Sequence, residues 1–178
     1  MKLDRRGWAF AAGVAAAATA AGVGWSVWRR RDTLGLEANV AAELWSSSFE
    51  SPDGTRLAMA SLRGHPLVLN FWATWCPPCL REMPALDRFA REFAGRGWRV
   101  VGLAADKPAP VRDFLARTPV SYRIGLVDFA GIELARRLGN LSGGLPFTLL
   151  FGRDGAVLQR RMGETSYEQL ASWAGAIP

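Results

Sequence analysis

The only two cysteines of the chain, Cys76 and Cys79, lie three positions apart with two prolines between them. A tetrahedral structural zinc site needs four ligands, and His65 is the only histidine, so the chain cannot supply a Cys/His set. A disulfide that closes so short a loop removes little entropy from the unfolded chain and would stabilise a fold poorly. The pair therefore predicts redox chemistry at sulfur, with two soft ligands for Cu(I) as the alternative.

The elements around the cysteines predict which sulfur reacts. Residues 67–73 form a nearly continuous apolar run, typical of a central strand, and residues 77–94 carry apolar side chains at helical spacing. Because proline is tolerated at the first positions of a helix, Cys76 falls at the helix N-terminus, where the helix dipole favours a thiolate. Cys79 lies one turn further in and is expected to be the more buried sulfur. The spacing thus predicts attack by Cys76 and resolution by Cys79.

The remaining patterns predict an α/β domain whose central mixed sheet is flanked by helices on both faces. A Pro-Asp-Gly turn predicts a β-hairpin over residues 49–57, and a Gly-Arg-Asp-Gly turn predicts another over 147–161. Ser166 and Gln169 have capping-box spacing at the start of a final helix. Apolar patterns place the other elements, which are strands at 99–105 and 124–127 and helices at 111–116 and 132–138.

An uncharged run near the N-terminus, residues 7–28, is long enough to cross a bilayer as a helix. Basic clusters flank the run, and tryptophans near both of its ends favour the headgroup region. The sequence Ala18-Thr19-Ala20 offers a small-x-small site, so a cleavable signal remains the alternative. The run therefore predicts either a membrane anchor or an export signal.

These features divide the chain into an anchor or export signal over residues 1–31, a linker over 32–43 whose residues to about 42 could also form a short helix, and a globular domain over 44–178. Much of the net charge of +6 lies in the first 32 residues, which hold six basic and two acidic residues. The remaining residues hold 16 basic and 14 acidic residues, so the domain is nearly neutral. A nearly neutral domain lacks the electrostatic footprint for a phosphate backbone, and we therefore exclude nucleic acid as a partner.

Residues 70–79 read Asn-Phe-Trp-Ala-Thr-Trp-Cys-Pro-Pro-Cys, with Glu82-Met83-Pro84 after them and Leu62-Arg63-Gly64 before the strand. This pattern resembles the membrane-anchored thiol:disulfide oxidoreductases of the TlpA and ResA group in the thioredoxin superfamily, and the match runs from about Leu44 to the C-terminus. The resemblance implies a thioredoxin fold with an added N-terminal β-hairpin and a central insertion, for which residues 106–142 are the candidate. It also implies that the domain faces the periplasm from the bacterial inner membrane.

The resemblance also assigns roles to residues outside the cysteine pair. Pro146, in Gly144-Leu145-Pro146, matches the cis-proline loop beside the cysteines, the alternative being an ordinary trans proline at a strand start. Glu82 matches an acid that would exchange a proton with the Cys79 thiol, although its helix position also allows a solvated surface glutamate. Asn70 stands where general thioredoxins place a buried aspartate, so proton handling would fall to Glu82 or to water.

The implied function is reduction of disulfides in extracytoplasmic proteins, with cytochrome c maturation as a common task of such proteins. The implied electron donor is a membrane-embedded thiol carrier. No bound cofactor is expected, because the redox-active disulfide between Cys76 and Cys79 itself carries the electrons. Substrate contacts are expected from five residues around this pair, namely Trp75, Pro77, Pro78, Leu145 and Pro146.

Overall fold

The computed structural model describes residues 39–177 of the chain. The expected anchor or export signal, with its apolar run over residues 7–28, lies outside these residues, as does the first part of the expected linker. None of the helices within residues 39–177 combines the length and the hydrophobicity that crossing a bilayer requires.

Strands and helices alternate along the described chain. The strands are β1 (Ser48–Glu50), β2 (Arg56–Ala58), β3 (Leu67–Trp72), β4 (Arg99–Ala104), β5 (Arg123–Leu126), β6 (Phe147–Phe151) and β7 (Val157–Met162). The helices are α1 (residues 39–46), α2 (Pro77–Phe93), α3 (Pro108–Arg117), α4 (Ala130–Arg137) and α5 (Tyr167–Gly175). Short 3-10 turns follow β2 and α2, at Met59–Leu62 and Ala94–Arg96.

The strands form one mixed sheet in the order β2-β1-β5-β4-β3-β6-β7. Strands β3, β4 and β5 run parallel, whereas β6 pairs antiparallel with β3, and β7 pairs antiparallel with β6. The hairpin of β1 and β2 joins the sheet through antiparallel pairing of β1 with β5. The predicted mixed sheet and N-terminal β-hairpin are both confirmed.

Side chains that alternate along β3 fill two cores, one on each face of the sheet. On one face, Val68 and Trp72 pack with buried residues of α2, α3 and α5. On the other face, Leu67, Leu69 and Phe71 pack with buried residues of α1 and α4. Every residue of β3 is buried, as expected of a central strand covered on both sides. Helices therefore flank the sheet on both faces, as the sequence predicts.

Helices α3 and α4 begin two or three residues earlier than the sequence patterns predict, and α1 forms in the segment expected to be a linker or a short helix. Helix α1 agrees with the short-helix alternative for this segment, and its Ala41, Leu44 and Trp45 are buried on the sheet. Helix α3 begins at Pro108 instead of Val111, because proline lacks the N–H that a first helical turn leaves unused.

The expected central insertion, residues 106–142, contains α3, β5 and α4. Its strand β5 lies between β4 and β1, and it therefore links the N-terminal hairpin to the central strands.

Candidate active site

Cys76 and Cys79 form a disulfide at the N-terminus of α2, with 2.07 Å between the sulfurs and 5.3 Å between the Cα atoms. Cys76 is the N-cap residue, and its sulfur accepts a hydrogen bond from the backbone N–H of Cys79 at 3.3 Å. The two prolines occupy the first helical positions, where no hydrogen bond is lost. Cys76 is 5% exposed and Cys79 is 0% exposed, in the order of burial that the spacing predicts.

A buried carboxylate, Asp106, holds the segment that leads into the cysteines. Its Oδ2 accepts hydrogen bonds from the backbone N–H of Thr74, at 3.0 Å, and from the Thr74 hydroxyl. Its Oδ1 accepts from the backbone N–H of Lys107 at 2.7 Å. Sequence reasoning missed this contact, although parallel neighbouring strands end at the same edge of a sheet, which places the residues after β3 near those after β4.

Glu82 lies on α2 one turn beyond Cys79 and is 1% exposed, so the alternative of a solvated surface glutamate is wrong. Its Oε1 accepts a hydrogen bond from Asn70 Nδ2 on β3 at 2.7 Å. Its Oε2 accepts from the backbone N–H of Thr165, between β7 and α5, at 2.7 Å. One carboxyl group therefore joins α2 to a central strand and to the last loop of the domain.

Burial raises the pKa of Glu82 from 4.5 to about 7. The hydrogen bonds from Thr165 and Asn70 favour the carboxylate and oppose this rise, while the negative charge of Glu164 adds to it. A carboxyl group with a pKa near 7 can accept a proton and return it at neutral pH. This property fits an acid–base group beside a pair of thiols.

Asn70 is fully buried on the same sheet face as Val68 and Trp72, and its Nδ2 also donates to Thr148 Oγ1 at 3.0 Å. Thr148 lies directly opposite Asn70 in the antiparallel pairing of β6 with β3. Sequence reasoning missed Thr148 and Thr165. The register of the two strands is the signal that could have revealed Thr148, because cross-strand partners have adjacent side chains.

The Leu145–Pro146 peptide bond is cis, as the resemblance implies for the loop before β6. Pro146 is buried, and Leu145 is half-buried against the core cluster that holds both cysteines. Asn140 organises the preceding residues, since its Nδ2 donates to the Gly144 carbonyl at 2.7 Å. The Pro146 carbonyl accepts from the backbone N–H of Gly163 at 2.9 Å, which ties the loop to the end of β7.

The other expected contact residues lie at the start of α2. Trp75 is 54% exposed, Pro77 is exposed and Pro78 is half-buried. The chain therefore presents an aromatic ring and a proline at the surface on either side of Cys76.

Within residues 39–177, no group of three or more His, Cys, Asp or Glu side chains could hold a metal ion. Met83, the nearest methionine in sequence, is buried on α2. The copper alternative therefore rests on the two sulfurs of Cys76 and Cys79.

Comparison with known proteins identifies the family to which the chain belongs. Residues 41–175 match the Redoxin family. The chain belongs to the Redoxin family. Thiol-disulfide oxidoreductase ResA of Bacillus cereus is 30% identical to this Redoxin protein over 126 residues, which cover 70% of each chain.

Solved structures agree with this family assignment. A thiol:disulfide interchange protein of the thioredoxin family from Chlorobium tepidum is 27% identical, with a TM-score of 0.64, and the match covers 74% of this chain and 92% of that one. A thioredoxin-related protein from Neisseria meningitidis is 32% identical, with a TM-score of 0.62, and covers 70% and 93%. The thioredoxin fold is thus confirmed, and this Redoxin protein is a thiol-disulfide oxidoreductase.

Proposed function

We propose that this protein reduces disulfides of extracytoplasmic proteins, with Cys76 as the attacking sulfur and Cys79 as the resolving sulfur. The observation that carries this proposal is the unequal burial of a disulfide at a helix N-terminus. Cys76 retains a small exposed area and caps α2, where the backbone N–H of Cys79 and the helix dipole stabilise a thiolate. Cys79 has no exposed area, so a partner protein can reach only Cys76.

The exchange balances in two steps. In the reduced protein the Cys76 thiolate attacks one sulfur of the partner's disulfide, which forms a mixed disulfide and releases the partner's other sulfur as a thiolate. The Cys79 thiol then gives its proton to the Glu82 carboxylate and attacks the Cys76 sulfur. The partner's second sulfur leaves as a thiolate, both partner thiolates take up protons, and the Cys76–Cys79 disulfide forms.

The residues around the disulfide supply the contacts for a partner segment. We assign this role to Trp75, Pro77 and Pro78 at the helix start and to Leu145 and Pro146 before β6. Leu145 precedes the ladder of β6, and an extended partner segment would pair with its backbone. The exposed ring of Trp75 offers apolar contact to residues beside the partner's cysteine.

The proposed cellular setting rests on the N-terminal sequence together with the resemblance to membrane-anchored oxidoreductases. Residues 7–28 would anchor the protein in the bacterial inner membrane with its domain in the periplasm, or would be removed to leave a soluble periplasmic protein. A membrane-embedded thiol carrier would regenerate the reduced cysteines. Proteins of cytochrome c maturation are candidate substrates, and no cofactor beyond the cysteine pair is needed.

Insulin reduction by the full-length chain, with dithiothreitol as the donor, tests the two sulfur roles. Cys76→Ala is expected to reduce insulin no faster than dithiothreitol by itself, because its remaining thiol is buried. Cys79→Ser is expected to accumulate a mixed disulfide with insulin through Cys76, visible as a heavier band on non-reducing gels. A mixed disulfide in Cys76→Ala, or none in Cys79→Ser, would contradict the assigned roles.

The same preparation separates exchange from copper transport. Titration of the reduced full-length chain with Cu(I) measures stoichiometry and affinity directly. An inactive protein that binds one Cu(I) tightly would replace the proposed reductase function with the carrier function.

A further inference from the structure

The side-chain amide of Asn70 makes both of its hydrogen bonds through Nδ2, to Glu82 and to Thr148. Nδ2 donates one hydrogen to Glu82 Oε1 and the other to Thr148 Oγ1, at 2.7 and 3.0 Å. At the other end of the amide, Oδ1 is buried and accepts no hydrogen bond. The Oδ1 end therefore has no hydrogen bond to lose when the amide rotates by half a turn about its terminal bond.

Protonation of Glu82 removes the need for Asn70 to point its Nδ2 toward Glu82 Oε1. A carboxylate oxygen only accepts, so Oε1 requires a donor, and Nδ2 supplies one. Once Oε1 carries a proton it becomes a donor and requires an acceptor, which the unpartnered Oδ1 end of Asn70 can provide after the amide reverses. The second oxygen, Oε2, accepts from the backbone N–H of Thr165, a donor that cannot turn into an acceptor, and this contact favours Oε1 as the oxygen that takes the proton.

Thr148 makes the reversal possible because a hydroxyl both donates and accepts. In the orientation seen here Thr148 Oγ1 accepts from Nδ2. With the amide reversed, the Thr148 hydroxyl would donate to Oδ1, whose two lone pairs then accept from Thr148 and from protonated Glu82. Either orientation gives Asn70 two hydrogen bonds to the same two neighbours.

We propose that Asn70 and Thr148 form an amide switch that reverses whenever Glu82 gains or loses a proton, so that both forms of the carboxyl group are hydrogen-bonded. Asn70 and Thr148 are positioning residues, since they act through Glu82. This inference rests on the proposed function, in which Glu82 takes the proton of Cys79. A buried aspartate at position 70 would add a second titrating group, whereas the amide follows the proton without holding one.

The charged and titratable groups near Glu82 are Glu164, Arg81, Tyr122 and the two cysteines. Glu164, beside Thr165, acts on Glu82 through its negative charge. Arg81 Nη2 forms an ion pair with Glu164 Oε2 at 2.8 Å. Tyr122 is also buried near Glu82, and burial and the charge of Glu82 raise the pKa of its hydroxyl far above neutral pH. In the oxidised protein the cysteines do not titrate. A reversal near pH 7 in that state therefore reports Glu82.

The test is an NMR titration of the oxidised full-length chain with 15N in its asparagine side chains. The chain has three asparagines, and Asn140, whose Nδ2 donates to the Gly144 carbonyl, serves as an internal control that does not titrate. Both Nδ2 protons of Asn70 are expected to shift upfield as the pH falls through the midpoint of Glu82, because each loses its oxygen partner. A shift of only one proton, or of neither, would overturn the switch.

Two substitutions at Thr148 give the matched control. Thr148→Ser keeps the hydroxyl and should keep the response of both protons, whereas Thr148→Val should leave only the proton that faces Glu82 responsive. In Glu82→Gln neither proton should titrate near pH 7. A response of both protons in Thr148→Val would contradict the role of the hydroxyl.

This experiment separates the switch from the proposed function. If Glu82→Gln alters the pH dependence of insulin reduction but only one Asn70 proton responds in the unsubstituted protein, the switch fails and the proton transfer stands. If both protons respond but Glu82→Gln leaves the pH dependence of exchange unchanged, the proton transfer from Cys79 fails and the reversal itself stands.

Discussion

Two buried carboxylates lie near the cysteine motif, and the structure holds them in different ways. Asp106, 5% exposed, accepts three hydrogen bonds, two of them from backbone N–H groups of the residues it braces. Glu82, 1% exposed, accepts two, one from a backbone N–H and one from the amide of Asn70, which is free at its other end. Asp106 is surrounded by fixed donors, whereas Glu82 faces one partner that can change its orientation.

The contacts of Asp106 brace the backbone before the cysteines, whereas burial of Glu82 raises the pKa of its carboxyl group. Asp106 fixes Thr74, two residues before Cys76, so its contacts set the path of the chain into the active site. Glu82 is buried with fewer donors, and the loss of hydration raises its pKa to about 7. Burial of a carboxyl group therefore gives rigidity at one position and proton exchange at the other, according to the donors around it.

The largest expected effect is on the pH dependence of stability in Glu82→Gln. Because folded Glu82 holds its proton more tightly than the unfolded chain does, its contribution to stability is complete below pH 4.5 and is lost as the pH rises through about 7. A pKa raised from 4.5 to about 7 corresponds to about 3 kcal/mol. Glu82→Gln should therefore gain about that much free energy of unfolding relative to the unsubstituted protein between pH 4 and pH 9.

Urea unfolding of the oxidised full-length chain at both pH values measures this difference. The exposed Glu133→Gln is the control and should leave the pH dependence unchanged. A parallel pH dependence in Glu82→Gln and the unsubstituted protein would contradict a raised pKa for Glu82.

Asp106→Asn should lower the free energy of unfolding at pH 7 by about 2 kcal/mol, since an amide can accept at only one of the two oxygen positions and leaves part-buried donors unpaired. Released from Asp106, Thr74 and the residues that lead to Cys76 should also become more mobile, measured as faster amide hydrogen exchange there. The exposed Asp113→Asn on α3 is the control. Unchanged stability in Asp106→Asn would refute a bracing role.

How much of this arrangement the sequence predicts depends on how local each contact is. The start of α2 at Pro77 and the capping box of Ser166 and Gln169 follow from residues within one turn of each other, and both are confirmed. The contact of Thr165 with Glu82 joins residues 83 positions apart, so no local pattern could indicate it. The resemblance to a known family indicates a proton-exchange role for Glu82, but the groups that surround its carboxyl group are visible only in the folded structure.

The burial of α1 on the sheet has the same physical origin. Trp45 Nε1 donates to the Gly155 carbonyl at 3.0 Å, across 110 positions of the chain. The Trp45 ring packs edge-on against Phe151 of β6, with 5.3 Å between ring centroids. These distant contacts bury α1 on the sheet, whereas the local sequence up to about residue 42 leaves a linker and a short helix both open.

The smallest expected effect measures how much the charge of Glu164 contributes to the pKa of Glu82, compared with burial and hydrogen bonding. Glu164→Gln removes a like charge and should lower the pKa of Glu82 by about 0.3 units, because exposed charges interact weakly through water. The carboxyl 13C shift of Glu82, followed against pH in the oxidised chain, measures this change. Glu168→Gln, an exposed substitution on α5, should not move the midpoint. A fall of a full unit in Glu164→Gln would mean that charge at the surface, and not burial beside Asn70 and Thr165, sets the proton affinity of Glu82.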